Sequence, residues 1–172
     1  GKNGIKAFGR KNVIGAFAVP YEVVNDVQFL YTQSDRVNRS GLSEAVKVAL
    51  VKEGHFFDWL EENGERLNAL EPAVLEEAVE RSAILHARHI AEGGDPFETG
   101  NSRPLDFGHW SAHKMEQLTE FALSHAEAVS VGVALDTLYS AHSGWLSEKD
   151  AGRVIGLLQT LQLPIWHEAL EM

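Results

Sequence analysis

The chain has 172 residues, 44% of them hydrophobic and 23% charged, which is ordinary for one sizeable core or one large domain with an appendage. Its formal net charge of −10 argues against nucleic-acid binding, which needs a basic footprint, and the lack of cysteine excludes disulfides and thiolate metal sites. No apolar run approaches the roughly 20 residues of a membrane span and nothing at the N-terminus reads as a signal peptide, so the expectation is a soluble, cytoplasmic protein with no membrane partner.

Residues 1–26 differ from everything after them. The opening GKNGIKAFGRKN is rich in Gly, Lys and Asn, has no helical period, and reads as a loop. Two β-prone runs follow, Val13 to Ala18 and Tyr21 to Val24, parted by Pro20. Two short strands make no stable sheet alone. They are expected either to pair with something outside this chain or to lie on the helical body. The basic cluster Lys2, Lys6, Arg10 and Lys11 reads equally as a donor set for phosphate or carboxylate and as a solvated tail. It matches neither the P-loop nor the dinucleotide fingerprint.

From Asp35 onward the pattern is helical. SGLSEAVKVALVKEG sets Leu42, Val46, Ala49 and Leu50 at helical spacing, with Gly54 as a stop. HFFDWLEEN is a second, short helix. EPAVLEEAVERSAILHARHIAEGG starts with Pro72 in the first turn and ends at Gly93–Gly94, with Val74, Ala78, Ile84 and Ile90 near one stripe. After the loop GDPFETGNSRPLD come helices over roughly Gly108 to Leu123 and Ala126 to His142. A last helix is capped by Ser147, with Asp150 in the third position, and stops before Pro164. Five to seven helices behind a short β-like lead-in predict a mostly-α, multi-helix bundle.

Three features carry possible chemistry. His109 and His113, at i and i+4, face one side of a helix, a spacing that suits two imidazoles on one metal ion or one packed and one solvated side chain. The zincin motif needs Glu after the first His, and Trp110 stands there. His125 sits at the start of the apolar helix AEAVSVGVAL, where a side chain can point between helices. Glu44 and Lys47 lie one turn apart among Ala45, Val46, Val48 and Ala49. Either they are partly buried, and the carboxylate needs a cation or a metal, or they form a surface ion pair.

Four ordered stretches carry a resemblance. GKNGIKAFGRKNVIGAFAVP, SGLSEAVKVALV, DFGHWSAHKME and HAEAVSVGVA resemble, in order and spacing, motifs of the sugar phosphate cyclases, whose best-known member is 3-dehydroquinate synthase. The resemblance implies the C-terminal, metal-binding helical domain of a two-domain enzyme. It puts the three metal ligands on Glu44, His109 and His125, for Zn2+ or Co2+, with His113 as a catalytic group near the substrate phosphate. Lys2, Lys11, Asn12 and Lys47 match positions near substrate and cofactor: Lys2 and Lys47 as catalytic groups, Lys2 and Lys11 toward the cofactor, Lys11 and Asn12 toward substrate. Glu98 matches an acidic residue before the metal-binding segment. The implied reaction uses NAD+ to oxidise an alcohol of a sugar phosphate transiently, then eliminates phosphate and closes a ring by aldol addition.

The chain also departs from the family pattern. Asp106 stands where 3-dehydroquinate synthases have Asn. Arg103 lies one residue nearer the histidine, and the family lysine upstream has His86, Arg88 or His89 as candidate replacements. Arg103 and Asp106 are still expected at the substrate. GGDPFE…RPLDFGHWSAHK is more similar to cyclases of bacterial Ebo-type gene clusters. By the same resemblance, residues 1–26 are a junction segment belonging to or pairing with an N-terminal nucleotide-binding domain, and residues 27–172 are the helical metal-binding domain. The expectation is a C-terminal fragment, inactive alone, and by analogy with the family a homodimer when whole. The competing reading is a non-catalytic helical metal-binding or interaction module of the same fold.

Overall fold

The computed structural model describes residues 2–8, 10–93 and 103–172, and for residues 2, 6 and 10–12 the backbone alone. A hairpin of β1 (Lys2–Ala7) and β2 (Arg10–Phe17) leads into seven α-helices among the described residues. These are α1 (Asp35–Lys52), α2 (Gly54–Glu62), α3 (Gly64–Asn68), α4 (Pro72–Glu92), α5 (His109–Leu118), α6 (His125–His142) and α7 (Glu148–Thr160). The expected mostly-α bundle with a short β lead-in is what forms.

Helix α6 is the centre of the bundle. Ala128 through Ala134 are all buried, as an apolar helix without a polar face must be. Around it α1 lays Leu42, Val46 and Ala49, α2 Phe56 and Leu60, α5 Ala112 and Met115, and α7 Val154 and Leu158. Each fully buried Leu or Phe contributes about 1.5–3 kcal/mol. Helix α6 begins with a complete capping box: Ser124 Oγ accepts from the Glu127 amide, and Glu127 accepts from the Ser124 amide. Ser147 caps α7 by accepting from the Asp150 amide at 3.0 Å, as its position predicts.

The elements differ from expectation in four places. The opening segment, read as a loop, is β1 and the start of β2, paired antiparallel with Gly4 opposite Gly15 and Ile5 opposite Ile14. Ala7 pairs with Arg10, and Phe8 takes a φ of 52° at the turn. Hairpin closure overrides the weak strand propensity of Gly, Lys and Asn. Tyr21 to Val24, read as a strand, is irregular, exposed and paired with no strand among the described residues.

Helix α5 stops at Leu118, not Leu123. Glu120 takes a left-handed φ of 52°, its amide donates to the Gln117 carbonyl, and the Phe121 amide donates to the Glu116 carbonyl at 2.7 Å. That is a Schellman stop without its usual glycine, so nothing in the composition announces it. The same motif ends α3 at Leu70 and α7 at Gln162. The short α3 has no separate sequence signal.

On α4, Val74, Leu75 and Ala78 are buried, but Ile84 is 42% exposed. The next residue, Leu85, packs partly buried against the core, so Ile84 lies at the edge of the apolar stripe.

Candidate metal centre

Three helices deliver the chemistry to one place. Helix α1 carries Glu44 and Lys47, the first turns of α5 carry His109 and His113, and the first residue of α6 is His125. Two latches bring the start of α6 against α1. The Ser43 hydroxyl donates to the Ala126 carbonyl at 2.8 Å, and the Arg36 fork donates to both oxygens of Glu127 at 2.8 and 2.9 Å. The Arg36 hydrogen bond holds the Glu127 carboxyl below its ordinary range.

The start of α5 is pressed onto α6 through two glycines. Gly108 has a φ of 76°, where a side chain would be strained, and a Cβ there would meet Val133 at 2.8 Å. A Cβ on Gly132 would meet the Gly108 carbonyl oxygen at 1.9 Å. Asp136 of α6 fixes the same turn by accepting from the Gly108 amide at 2.6 Å and from Trp110 Nε1 at 2.9 Å.

The donor atoms converge. Nε2 of His109 lies 3.5 Å from Oε1 of Glu44, and Nε2 of His125 lies 3.6 Å from the same oxygen. Ligand atoms of Glu44, His109 and His125 all fall within 4.8 Å of one another. The other carboxylate oxygen of Glu44 meets the Lys47 ammonium at 2.5 Å, and Lys47 is 5% exposed. The pair is therefore partly buried and shared with two imidazoles, not a surface ion pair. Burial pushes the Glu44 carboxyl up, but the His109 hydrogen bond and the Lys47 charge outweigh it and hold it at about 2.

The far nitrogen of each histidine is engaged too. His109 Nδ1 contacts the Phe107 carbonyl at 3.1 Å, and His125 Nδ1 contacts Oε2 of the buried Glu116 at 3.0 Å. One carboxylate and two imidazoles gathered from separate helices, each ring held from behind, make a donor set that fits a divalent cation and leaves coordination positions for substrate.

The other candidates divide. His113 is exposed, its ring 5.5 Å from that of His109 and 5.6 Å from that of His125. Arg103 and Asp106 pair with each other at 3.3 Å, each about half exposed. Of the residues offered for the family lysine, His89 contacts the Lys52 ammonium at 2.7 Å through Nδ1, and His86 and Arg88 are exposed. The side chains of Lys2, Lys11 and Asn12, and all of Glu98, lie outside the described residues. Sequence reasoning passed over Glu116 and Asp136. A signal existed for Glu116, which shares the i, i+4, i+7 stripe of His109 and His113. Asp136 had only its place as the lone acid in the apolar VGVALDTL.

Such a bundle, with a carboxylate and two imidazoles meeting between helices, has the donor set that candidate metal centres in helix bundles share. The family model described as 3-dehydroquinate synthase C-terminal matches residues 41–172. A 3-dehydroquinate synthase of Geobacter sp. (strain M21) is 40% identical over 166 residues, covering 96% of this chain and 45% of that protein. One of Pseudomonas aeruginosa (strain UCBPP-PA14) is 39% identical over 166 residues, with the same two coverages, 96% and 45%. Among solved structures, ValA, the 2-epi-5-epi-valiolone synthase of Streptomyces hygroscopicus subsp. jinggangensis 5008 with NAD+ and Zn2+ bound, superposes with a TM-score of 0.88 at 31% identity. That match covers 98% of this chain and 47% of ValA. The chain belongs to the 3-dehydroquinate synthase C-terminal family. It spans just under half the length of the curated relatives it matches.

Proposed function

We propose that the chain is the metal-binding helical domain of a metal- and NAD-dependent sugar phosphate cyclase. The whole enzyme would take a small anionic sugar phosphate through transient alcohol oxidation, phosphate elimination and intramolecular aldol closure. The observation that carries the reading is the convergence of Glu44, His109 and His125 within 4.8 Å. These three would hold Zn2+ or Co2+, which when bound supplies Lewis-acid polarisation of a substrate hydroxyl.

The chain's own residues do the rest. Lys47 keeps Glu44 ionised and sets a buried ammonium beside the site, a partner for a substrate oxyanion. His113, exposed next to the two ligand rings, is placed to hand a proton to or from the departing group. Arg103 neutralises Asp106, so an incoming phosphate meets a paired acid and not a lone negative charge. NAD+ enters this reading through Lys2 and Lys11 and through a nucleotide-binding half. Ile5, Ile14 and Phe17, each about 60% exposed on the hairpin, support pairing of residues 1–26 with such a half.

The test uses the full-length protein. Wild type is expected to carry one Zn2+ per chain and, with NAD+, to release phosphate from a sugar phosphate. Glu44→Ala and His125→Ala are expected to lose both. Unchanged zinc in both variants would refute the ligand assignment. Zinc lost in both variants, but no phosphate released by zinc-loaded wild type with NAD+ from any of a panel of seven-carbon and six-carbon sugar phosphates, would leave a metal-binding module and refute the cyclase reading.

A further inference from the structure

His125 is gripped at both ring nitrogens, and its two partners differ in kind. Its Nε2 faces Glu44 Oε1 across 3.6 Å, at the point where His109 also arrives. Its Nδ1 meets Oε2 of Glu116 at 3.0 Å. Glu116 is 3% exposed and sits on α5 beside Met115 of the core. An acid buried that deeply is costly to desolvate unless a partner compensates it, so its contact with His125 is a built feature and not a surface accident.

We propose that Glu116 is a positioning residue of the metal centre. A carboxylate only accepts hydrogen bonds, so it requires the proton of His125 on Nδ1. That leaves the Nε2 lone pair turned toward Glu44 and His109, the side on which a cation would sit. His109 has a neutral carbonyl, that of Phe107, in the corresponding place. Behind the two ligand rings the structure thus sets a carboxylate and a carbonyl, and the carboxylate-backed ring is the stronger donor. Ligand atoms of Glu116, His113 and His125 also fall within 4.8 Å of one another. With its Nδ1 proton donated to Glu116, His125 has only Nε2 to offer a cation, and Nε2 faces Glu44.

This inference rests on the reading of Glu44, His109 and His125 as ligands, and the test separates the two. Zinc affinity of the full-length protein is measured by competition with a chelator, for wild type, Glu116→Gln and His125→Ala. The expected result is that Glu116→Gln keeps its fold and zinc stoichiometry and binds about ten- to a hundred-fold more weakly. In the zinc-loaded protein labelled with 15N-histidine, the His125 Nδ1–H proton is expected well downfield of that of His109 and moves upfield in Glu116→Gln, a change that mere loosening of the core does not produce. Wild-type affinity and an unmoved resonance in Glu116→Gln, with zinc lost in His125→Ala, would overturn the role of Glu116 and leave the ligand reading standing. Full zinc in His125→Ala would take down both. If Glu116→Gln does not fold, wild type alone decides: a bonded, downfield Nδ1–H on His125 upholds the proposal, and a bare Nδ1 defeats it.

Discussion

Two charged clusters sit at different places in this bundle. At the seam of α2 and α7, Arg153 binds Glu61, donates to Asp58 at 2.7 Å, and lies 3.8 Å from Asp150. Its guanidinium also lies over the Phe57 ring, 5.1 Å from the centroid. Hydrogen bonds to Glu61 and Asp58 raise its pKa above an already high ordinary value. Where α1, α5 and α6 meet, Glu44 takes the Lys47 ammonium on one oxygen and turns the other to two imidazoles. The first cluster converges on a cation that the chain itself supplies, and its carboxylate contacts are ordinary ion pairs. In the second, carboxylate and imidazole donor atoms converge on one another, the rings are backed by a carbonyl and a buried carboxylate, and the helices are latched around them. Charge density alone does not mark a functional site. Convergent lone pairs held by a costly, buried support do.

That contrast can be broken or sharpened by mutation. The largest effect is expected from Glu44→Ala, which removes the anionic donor and should leave the full-length protein without stoichiometric zinc by metal analysis. Gly132→Ala drives a methyl group into the Gly108 carbonyl and should cost about 3 kcal/mol in urea denaturation, with zinc affinity falling as α5 is pushed off α6. Asp136→Ala strips the acceptor from Gly108 and Trp110 and should cost about 2 kcal/mol by the same measurement. Gln162→Gly, at an exposed left-handed stop remote from the donors, should raise stability by about 1 kcal/mol and leave zinc binding as it is. The smallest effect is expected from Arg153→Met, a change within about 1 kcal/mol and no change in zinc affinity. A drop in zinc affinity in Arg153→Met would mean that the two clusters are coupled and the comparison is wrong.

The helices of the bundle were legible because amphipathic periodicity is a local property, visible in LSEAVKVAL or in the Ser147 cap without any neighbour. Glu44, His109 and His125 were legible for a different reason. Their motifs stand in an order that matches a family, and motif order is also written along the chain. The stops at Leu70, Glu120 and Gln162 were not legible, because a left-handed residue without glycine is imposed by where the chain must turn, not by its own preference. The hairpin over Lys2–Ala7 and Arg10–Phe17 was hidden similarly, since pairing with a facing strand makes a strand of residues that favour none.

The amino-acid order therefore carried the periodic helices, the Ser147 cap and the motifs that bear Glu44, His109 and His125, each written in spacings of a few residues. Folding in three dimensions settled the rest: that Glu44, 65 residues before His109, shares one of its oxygens with two imidazoles; that Lys47 is buried; that Glu116 stands behind His125; and that Asp136 holds the Gly108 turn. Such contacts arise where separate helices cross, and the distance between two helices is fixed by packing, here by a pair of glycines, and not by the residues on either helix alone.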